Sequence, residues 1–304
     1  MNNPIYQTPI RHRSSAAEFR LRARTALAGR WELAIGVFVL LIVISSAPSL
    51  VGSIVAMAAI ISSGLADMNP GQLDIGQMAG LLSVGWLALM LFSLAYVIFV
   101  AGPLQAGYVS FQLGLLDKKQ ETGVRDLFFC FRPSNRRYWR TVGVMTLYSL
   151  VLYAAAMVTV LIPGLLAVVL DVGGMLDRSP ALLFALASFT VVWFLAGMAV
   201  LAVLFYQYSL CPYIVVEYPQ LGAADVLRNS RLLMRGNKWR LFCTQLSFIG
   251  WGLLASCCTC GLGYLVLYPY FNETLAAFYD EVSQRAAARE VEFPSVNPED
   301  YLGK

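Results

Sequence analysis

Residues 225–240 read DVLRNSRLLMRGNKWR, and this stretch decides how the whole chain is interpreted. Arg228, Arg231 and Arg235 recur at helical spacing, and apolar residues fall on the opposite side. A basic amphipathic helix of this kind is typical of a membrane surface. Trp239 lies just before a long apolar run, where an indole ring prefers the headgroup level. The stretch therefore predicts a surface helix that leads into a membrane span.

The composition supports a membrane protein. Of 304 residues, 58% are hydrophobic and 13% are charged, and the mean hydropathy is +0.65. Soluble domains carry about 25% charged residues, so this chain has too little polar surface to face water on all sides. We therefore expect an all-α, polytopic transmembrane bundle. Its surroundings are the lipid bilayer, and we expect no nucleic-acid partner.

Apolar runs predict six spans, at about 33–63, 79–104, 142–170, 181–210, 241–256 and 262–278. About 20 apolar residues cross a bilayer core, and the first four runs exceed that length. The spans would form a single transmembrane domain over residues 15–286. A disordered tail over 1–14 precedes it, and a C-terminal tail over 287–304 follows it.

The last apolar run allows two interpretations. Leu241–Phe271 holds about 30 residues, which as one straight helix would be roughly 45 Å long, against a hydrocarbon core of about 30 Å. Its middle, residues 257–263, reads CCTCGLG and predicts a tight turn between two short spans. The alternative is one tilted helix, which gives five spans instead of six.

Three segments ahead of spans share one pattern. An acidic residue precedes a Trp by thirteen or fourteen positions in the pairs Glu18 and Trp31, Asp126 and Trp139, and Asp225 and Trp239. Pro103, Pro212 and Pro269 recur in the second span of each unit, where a proline kinks the helix and frees a backbone carbonyl. The pattern predicts three units, each a cytoplasmic amphipathic helix followed by a two-span hairpin. The three tryptophans would be interfacial anchors.

The positive charges predict the orientation. Lys and Arg number six before Trp31, seven in Leu116–Arg140 and five in Tyr213–Arg240, but none and one in the two remaining connections. Positive residues stay on the cytoplasmic side. The N-terminus and the three surface helices would therefore be cytoplasmic, and with six spans the C-terminus would be cytoplasmic too. Arg228, Arg231 and Arg235 are the predicted contacts to anionic lipid or to a membrane-protein partner.

The sequence offers little catalytic chemistry. No nucleophile, phosphate-binding or paired-carboxylate motif stands out, and the single histidine, His12, has no group of partner ligands nearby. The span interiors hold no charged residue before Glu273. Intramembrane hydrolases and proton-coupled transporters usually need such groups. We therefore expect a non-enzymatic protein without metal or cofactor.

A few polar residues in the spans admit a functional and a structural interpretation. Gln105, Gln207 and Glu273 would line a polar cavity if the protein conducts a solute. As structural residues, the glutamines would instead hydrogen-bond neighbouring helices, and Glu273 would cap a local helix break. The cysteines in residues 257–260 would either pair as a disulfide or pack at the turn.

The last unit also resembles a known family. The resemblance rests on Asn229-Ser230, Gly236-Asn237-Lys238, the run 246–251 (LSFIGW), Gly261-Leu262-Gly263, Pro269-Tyr270 and Ala277-Phe278-Tyr279, with Leu127-Phe128 and Ile162-Pro163-Gly164 as earlier signatures. These residues resemble the bacterial membrane family called domain of unknown function 975. More distantly, the organisation is similar to the membrane domain of some glycerophosphodiester phosphodiesterases, whose activity is not carried over. The resemblance implies placement in the bacterial inner membrane and no catalytic residues.

Two functions fit these observations. The first is a scaffold or accessory protein whose basic surface helices engage anionic lipid or a partner. The second is a permease or flippase for a small or lipid-like solute, since hairpin repeats with broken helices can surround a midplane cavity.

Overall fold

The computed structural model describes residues 14–67, 87, 89–117, 122–131, 135–172 and 180–288. The predicted tails fall almost wholly outside these residues, as does the beginning of the predicted span 79–104. Every regular element in the described residues is helical, as the all-α prediction requires. The α-helices are α1 Ala16–Leu27, α2 Trp31–Ser45, α3 Ala47–Asp67, α4 Gly102–Leu116, α5 Val124–Leu127, α6 Asn135–Val172, α7 Pro180–Tyr208, α8 Cys211–Glu217, α9 Ala223–Leu233, α10 Lys238–Leu246, α11 Ile249–Cys258 and α12 Tyr264–Ala288.

Five helical stretches in the described residues are long and apolar enough to cross a membrane. They are Trp31–Val55, Leu89–Leu116, Arg136–Leu170, Ala181–Glu217 and Lys238–Cys258. This agrees with a multi-pass membrane protein. A sixth span over 262–278 and the three-hairpin arrangement stay predictions.

The second of these stretches continues beyond the end predicted for its span. Residues 89–96 are α-helical, Val97–Ala101 forms one π-helical turn, and α4 carries the helix on to Leu116. The sequence predicts that this span ends near Gly102-Pro103. Pro103 is the second residue of α4 and directly follows the π-helical turn, so the helix runs through it without ending.

The described residues group into two compact units. The first unit comprises Glu18–Val142 and Gly250–Ala277, and the second unit comprises the described parts of Met1–Ala17, Gly143–Ile249 and Phe278–Lys304.

The core of the first unit forms where α2 and α4 pack together with α5. Leu27, Phe38, Leu104, Phe111 and Leu127 are among its buried side chains. Close packing at α5 requires a glycine on α4. A Cβ atom on Gly107 would lie 1.8 Å from the backbone oxygen of Leu127, so no other residue fits there without a backbone shift.

Prolines in the apolar helices release backbone carbonyls, because an α-helical carbonyl at position i normally accepts from the N–H at i+4 and proline has none. Pro48, Pro103 and Pro163 release the carbonyls of Ile44, Phe99 and Thr159, in that order. In lipid, an unsatisfied backbone polar group costs several kcal/mol because no water replaces the partner.

Each of these three carbonyls accepts a hydrogen bond from an aromatic side chain on the next apolar helix in the chain. Three donor–acceptor pairs are involved: Tyr96 Oη to Ile44 O at 2.5 Å, Tyr138 Oη to Phe99 O at 2.7 Å and Trp193 Nε1 to Thr159 O at 3.2 Å. The aromatic donors therefore satisfy the groups that the prolines expose, and they join successive helices at the same points.

A glycine brings the third pair into reach. A Cβ atom on Gly197 would lie 2.2 Å from Cγ2 of Thr159, so α7 approaches α6 closely at this position. Trp193 lies four residues earlier on α7, on the same side of the helix. The close approach at Gly197 thus places the indole N–H against the Thr159 carbonyl.

The turn predicted in the last apolar run is present. α11 ends at Cys258 and α12 begins at Tyr264, and Cys260 and Gly261 between them have φ values of 49° and 88°. The hydroxyl of Tyr264 donates to the carbonyl of Gly252 at 3.1 Å, so α12 turns back along α11. The alternative of one continuous tilted helix is wrong for these residues. That both helices cross a bilayer stays a prediction.

We expect Tyr96→Phe to lower the free energy of unfolding by about 1–3 kcal/mol, because the Ile44 carbonyl then loses its donor. Tyr153→Phe is the matched control, since Tyr153 is 62% exposed on α6, and we expect a change within about 0.5 kcal/mol. Thermal and denaturant unfolding of the detergent-solubilised protein measures both. Equal losses in the two variants would contradict the assigned role of Tyr96.

Candidate functional site

The arginines of α9 and two of its apolar residues differ in burial. Val226 and Leu233 are buried, while Arg228, Arg231 and Arg235, the last just beyond the helix end, are exposed. The acidic residue of α9 lies in its first turn and Arg231 in its last turn, an arrangement that the helix dipole favours. The three arginines therefore form a basic face, which we define as Arg228, Arg231 and Arg235.

A tight corner connects α9 to the apolar helix α10. Gly236 has a φ of 77°, the left-handed conformation that glycine adopts after a helix end. The side chain of Asn237 donates from Nδ2 to the Leu233 carbonyl at 2.9 Å and accepts at Oδ1 from Arg240 Nη1 at 3.1 Å. This corner fixes the direction in which α10 leaves the basic face.

Polar contacts fasten α9 to the end of α7. Ser230 is fully buried, and its hydroxyl donates to the carbonyl of Gln207 at 3.0 Å. Arg231 donates from Nη2 to the Tyr208 hydroxyl at 2.6 Å, and its guanidinium lies 5.7 Å from the centre of that ring. Lys238 donates from Nζ to Gln207 Oε1 at 3.1 Å. These contacts hold the basic face in one orientation.

A buried ion cluster joins α10 to the last turns of α12. Arg240 Nη2 and Arg285 Nε contact the same oxygen of Glu281, at 2.8 Å and 2.9 Å. The Glu281 side chain is 0% exposed, while the two arginine side chains are 16% and 15% exposed. Arg240 also donates to the Ser14 carbonyl at 3.0 Å. The Glu281 carboxylate thus connects α10 with the last turns of α12, and Arg240 adds a contact to Ser14, two residues ahead of α1.

A second polar contact joins α12 to α8. The hydroxyl of Tyr279 donates to a carboxylate oxygen of Glu217, and its ring stacks on Tyr213 with centroids 5.1 Å apart. Burial, and then the charge of Glu217, raise the pKa of Tyr279. The phenol therefore stays protonated and keeps donating across the neutral pH range.

Neither the ion cluster nor the contacts to Tyr208 and Gln207 were predicted from the sequence. Glu281 and Arg285 are four residues apart on one helix, a visible signal for a local ion pair. Arg240 is 41 positions away from Glu281, and no sequence pattern connects them.

The three predicted tryptophan anchors all lie near the start of an apolar helix. Trp31 is the first residue of α2, Trp139 is in the first turns of α6, and Trp239 is the second residue of α10. Trp139 and Trp239 are 55% and 72% exposed. Trp31 is half-buried and packs on Tyr270 with centroids 6.3 Å apart. Their membrane depth and the threefold repeat stay predictions.

The predicted cavity residues have different surroundings. Gln207 is engaged with Lys238, Gln105 is exposed on α4, and Glu273 is 1% exposed on α12. Within the described residues Glu273 Oε1 has no hydrogen-bond partner. Gln112, another glutamine that could line a polar path, is 2% exposed on α4.

The predicted kink prolines lie at two kinds of position. Pro212 stands in the first turn of α8, where proline is tolerated because that N–H has no partner within the helix. Pro103 is the second residue of α4 and follows a π-helical turn that is continuous with α4. Pro269 lies inside α12. Among the described residues, no group of three His, Cys, Asp or Glu side chains could hold a metal ion.

The comparisons with known proteins give a family. A sequence model of the family described as "Protein of unknown function (DUF975)" matches residues 14–286. The match covers most of the chain, so the chain belongs to this family. No curated protein and no solved structure matches it.

We expect Glu281→Gln to lower the free energy of unfolding by about 3 kcal/mol, because Arg240 and Arg285 lose their buried counter-charge. Glu32→Gln is the control, since Glu32 is exposed in the first turn of α2, and we expect a loss below about 1 kcal/mol. Denaturant unfolding in detergent measures both variants. A loss for Glu281→Gln no larger than that of the control would contradict the importance of the cluster.

Proposed function

We propose that this chain is a non-enzymatic, multi-pass protein of the bacterial cytoplasmic membrane. It acts as a scaffold or accessory subunit, and its basic face engages anionic lipid on the cytoplasmic side. In this proposal the N-terminus and the C-terminus both face the cytoplasm.

One observation carries the proposal: three exposed arginines lie together on a helix whose opposite side is buried. The contacts of Arg231 to Tyr208 and of Ser230 to Gln207 hold that helix against the end of an apolar helix. Each Lys or Arg near an anionic bilayer surface contributes about 1 kcal/mol of attraction. The exposed Trp239 follows the arginines, which suits the headgroup region.

Transport of a small or lipid-like solute is the alternative function. Its predicted cavity residues include Gln207, whose side-chain oxygen accepts a hydrogen bond from Lys238. That contact supports the packing role of Gln207 over a place along a solute path. We therefore favour the scaffold function.

The test measures which lipid lies next to the basic face. Full-length protein is reconstituted in mixed bilayers that contain brominated phosphatidylglycerol or brominated phosphatidylcholine. The part of the tryptophan fluorescence quenching by bromine that disappears in the Trp239→Phe variant is the signal of Trp239. We expect R228E/R231E/R235E to lower the preference for phosphatidylglycerol by at least about tenfold, because three attractive charges become repulsive.

R228K/R231K/R235K is the matched control, and we expect it to keep most of the preference because it keeps the charge. An unchanged preference in the glutamate variant would overturn the proposal of lipid engagement. If that variant instead lost a co-purifying membrane protein while its lipid preference stayed, the face would bind a partner rather than lipid.

A further inference from the structure

A groove of about 540 Å³ lies within the first unit and is lined by none of the residues of the basic face. Its walls come from α1, the start of α2, α11 and the first half of α12. We define this α1–α12 groove by the lining residues Arg24, Trp31, Trp251, Leu254, Val266 and Tyr270. Its volume is within the range of about 300–1,000 Å³ that is usual for small-molecule sites.

The walls of the groove lie in apolar helices. Trp31 begins the candidate span Trp31–Val55, and Leu254 lies in the candidate span Lys238–Cys258. At the rim, Trp251 is 57% exposed and Val266 is 48% exposed. In a bilayer these exposed apolar side chains face lipid tails rather than water. The groove therefore opens toward hydrocarbon, and its occupant has an apolar part.

One end of the groove is cationic. Arg24 is the single charged residue among those that line it, and Arg24 is exposed on α1. Within the described residues, no carboxylate pairs with Arg24. An occupant with complementary charge therefore carries an anionic group at this end.

Aromatic packing fixes the cationic end. The hydroxyl of Tyr270 donates to the Arg20 carbonyl at 3.3 Å, which ties α12 to α1 one turn before Arg24. The Tyr270 ring packs on Trp31, and α1 buries Phe19, Ala23 and Leu27. Arg24 thus projects from a helix that both the core and α12 hold in place, and the groove is formed before a ligand arrives.

We propose that the α1–α12 groove binds one anionic phospholipid. The phosphate contacts the guanidinium of Arg24, and one acyl chain lies along Leu254 and Val266. The proposal rests on the membrane placement given under the proposed function, but it uses none of the residues of the basic face. It assigns the first unit a specific lipid site, distinct from the general attraction of a charged surface.

The experiment counts lipids that stay bound to the full chain. Delipidated protein in a neutral detergent is titrated with phosphatidylglycerol, or with phosphatidylcholine of the same acyl chains, and native mass spectrometry resolves each bound molecule. We expect one phosphatidylglycerol to bind with a dissociation constant at least about tenfold below that of phosphatidylcholine. Excess inorganic phosphate does not displace it, because phosphate has no acyl chain.

Two variants probe the two ends of the groove. Arg24→Gln removes the cation and Leu254→Trp fills the apolar part, and we expect each to weaken binding of the single phosphatidylglycerol roughly tenfold or more. The controls are Arg22→Gln on the same helix and Leu253→Trp one position away. Neither residue lines the groove, and Leu253 is 62% exposed. Both controls should bind as the wild type does, and circular dichroism checks that all four variants are folded.

The proposal is overturned if phosphatidylcholine binds equally well, if phosphate displaces the lipid, or if a folded Arg24→Gln or Leu254→Trp binds as the wild type does. R228Q/R231Q/R235Q separates this site from the basic face. If that variant loses the phosphatidylglycerol preference at Trp239 but still binds the single lipid, the groove proposal is supported. If Arg24→Gln and Leu254→Trp bind the single lipid as the wild type does, while R228Q/R231Q/R235Q loses the preference at Trp239, only the basic face is supported.

Discussion

This structure depends on one constraint. A backbone carbonyl in an apolar helix needs another hydrogen-bond donor wherever proline provides no N–H. In water such a carbonyl would take a solvent hydrogen bond, but in hydrocarbon it would stay unsatisfied at a cost of several kcal/mol. The carbonyls of Ile44, Phe99 and Thr159 all meet an aromatic N–H or O–H from the next helix. Amphipathic aromatic side chains suit this role, because they bring a donor on a largely apolar body.

The same constraint explains how helices with few polar residues are held together. Lipid tails are as apolar as the side chains, so burial alone gives little preference for helix association within a bilayer. Specific hydrogen bonds and close glycine contacts, such as Gly197 against Thr159, supply the preference instead. Ionic contacts occur around Glu281, which joins α10 to α12. The rigid corner at Gly236 and Asn237 then presents the arginines that we assign to lipid.

The sequence was enough to predict an all-α chain with several apolar helices, the turn in residues 257–263, and the exposed arginines of α9. Hydropathy and helical periodicity determine those features locally. It also indicated that proline frees carbonyls, but the identity of each donor depends on which helices are neighbours, and that is a property of packing. The groove at Arg24 was not predicted for the same reason, because its walls come from segments more than 200 positions apart. The continuation of the second apolar helix past Pro103 to Leu116 was not evident, because a proline that ends a helix and one that a helix accommodates look alike in sequence.

A double-mutant cycle on Pro163 and Trp193 tests the central claim most directly, with the free energy of unfolding in detergent as the measured quantity. Trp193→Phe should destabilise the wild-type background by about 1–3 kcal/mol through the lost hydrogen bond, in addition to any loss of packing. Pro163→Ala restores the N–H that pairs with the Thr159 carbonyl, so the hydrogen-bond part should vanish in that background while the packing part stays. A coupling of at least about 1 kcal/mol between the two substitutions is the result that this account predicts. Equal effects of Trp193→Phe in both backgrounds would show that the indole does not act on the released carbonyl, and would contradict the account.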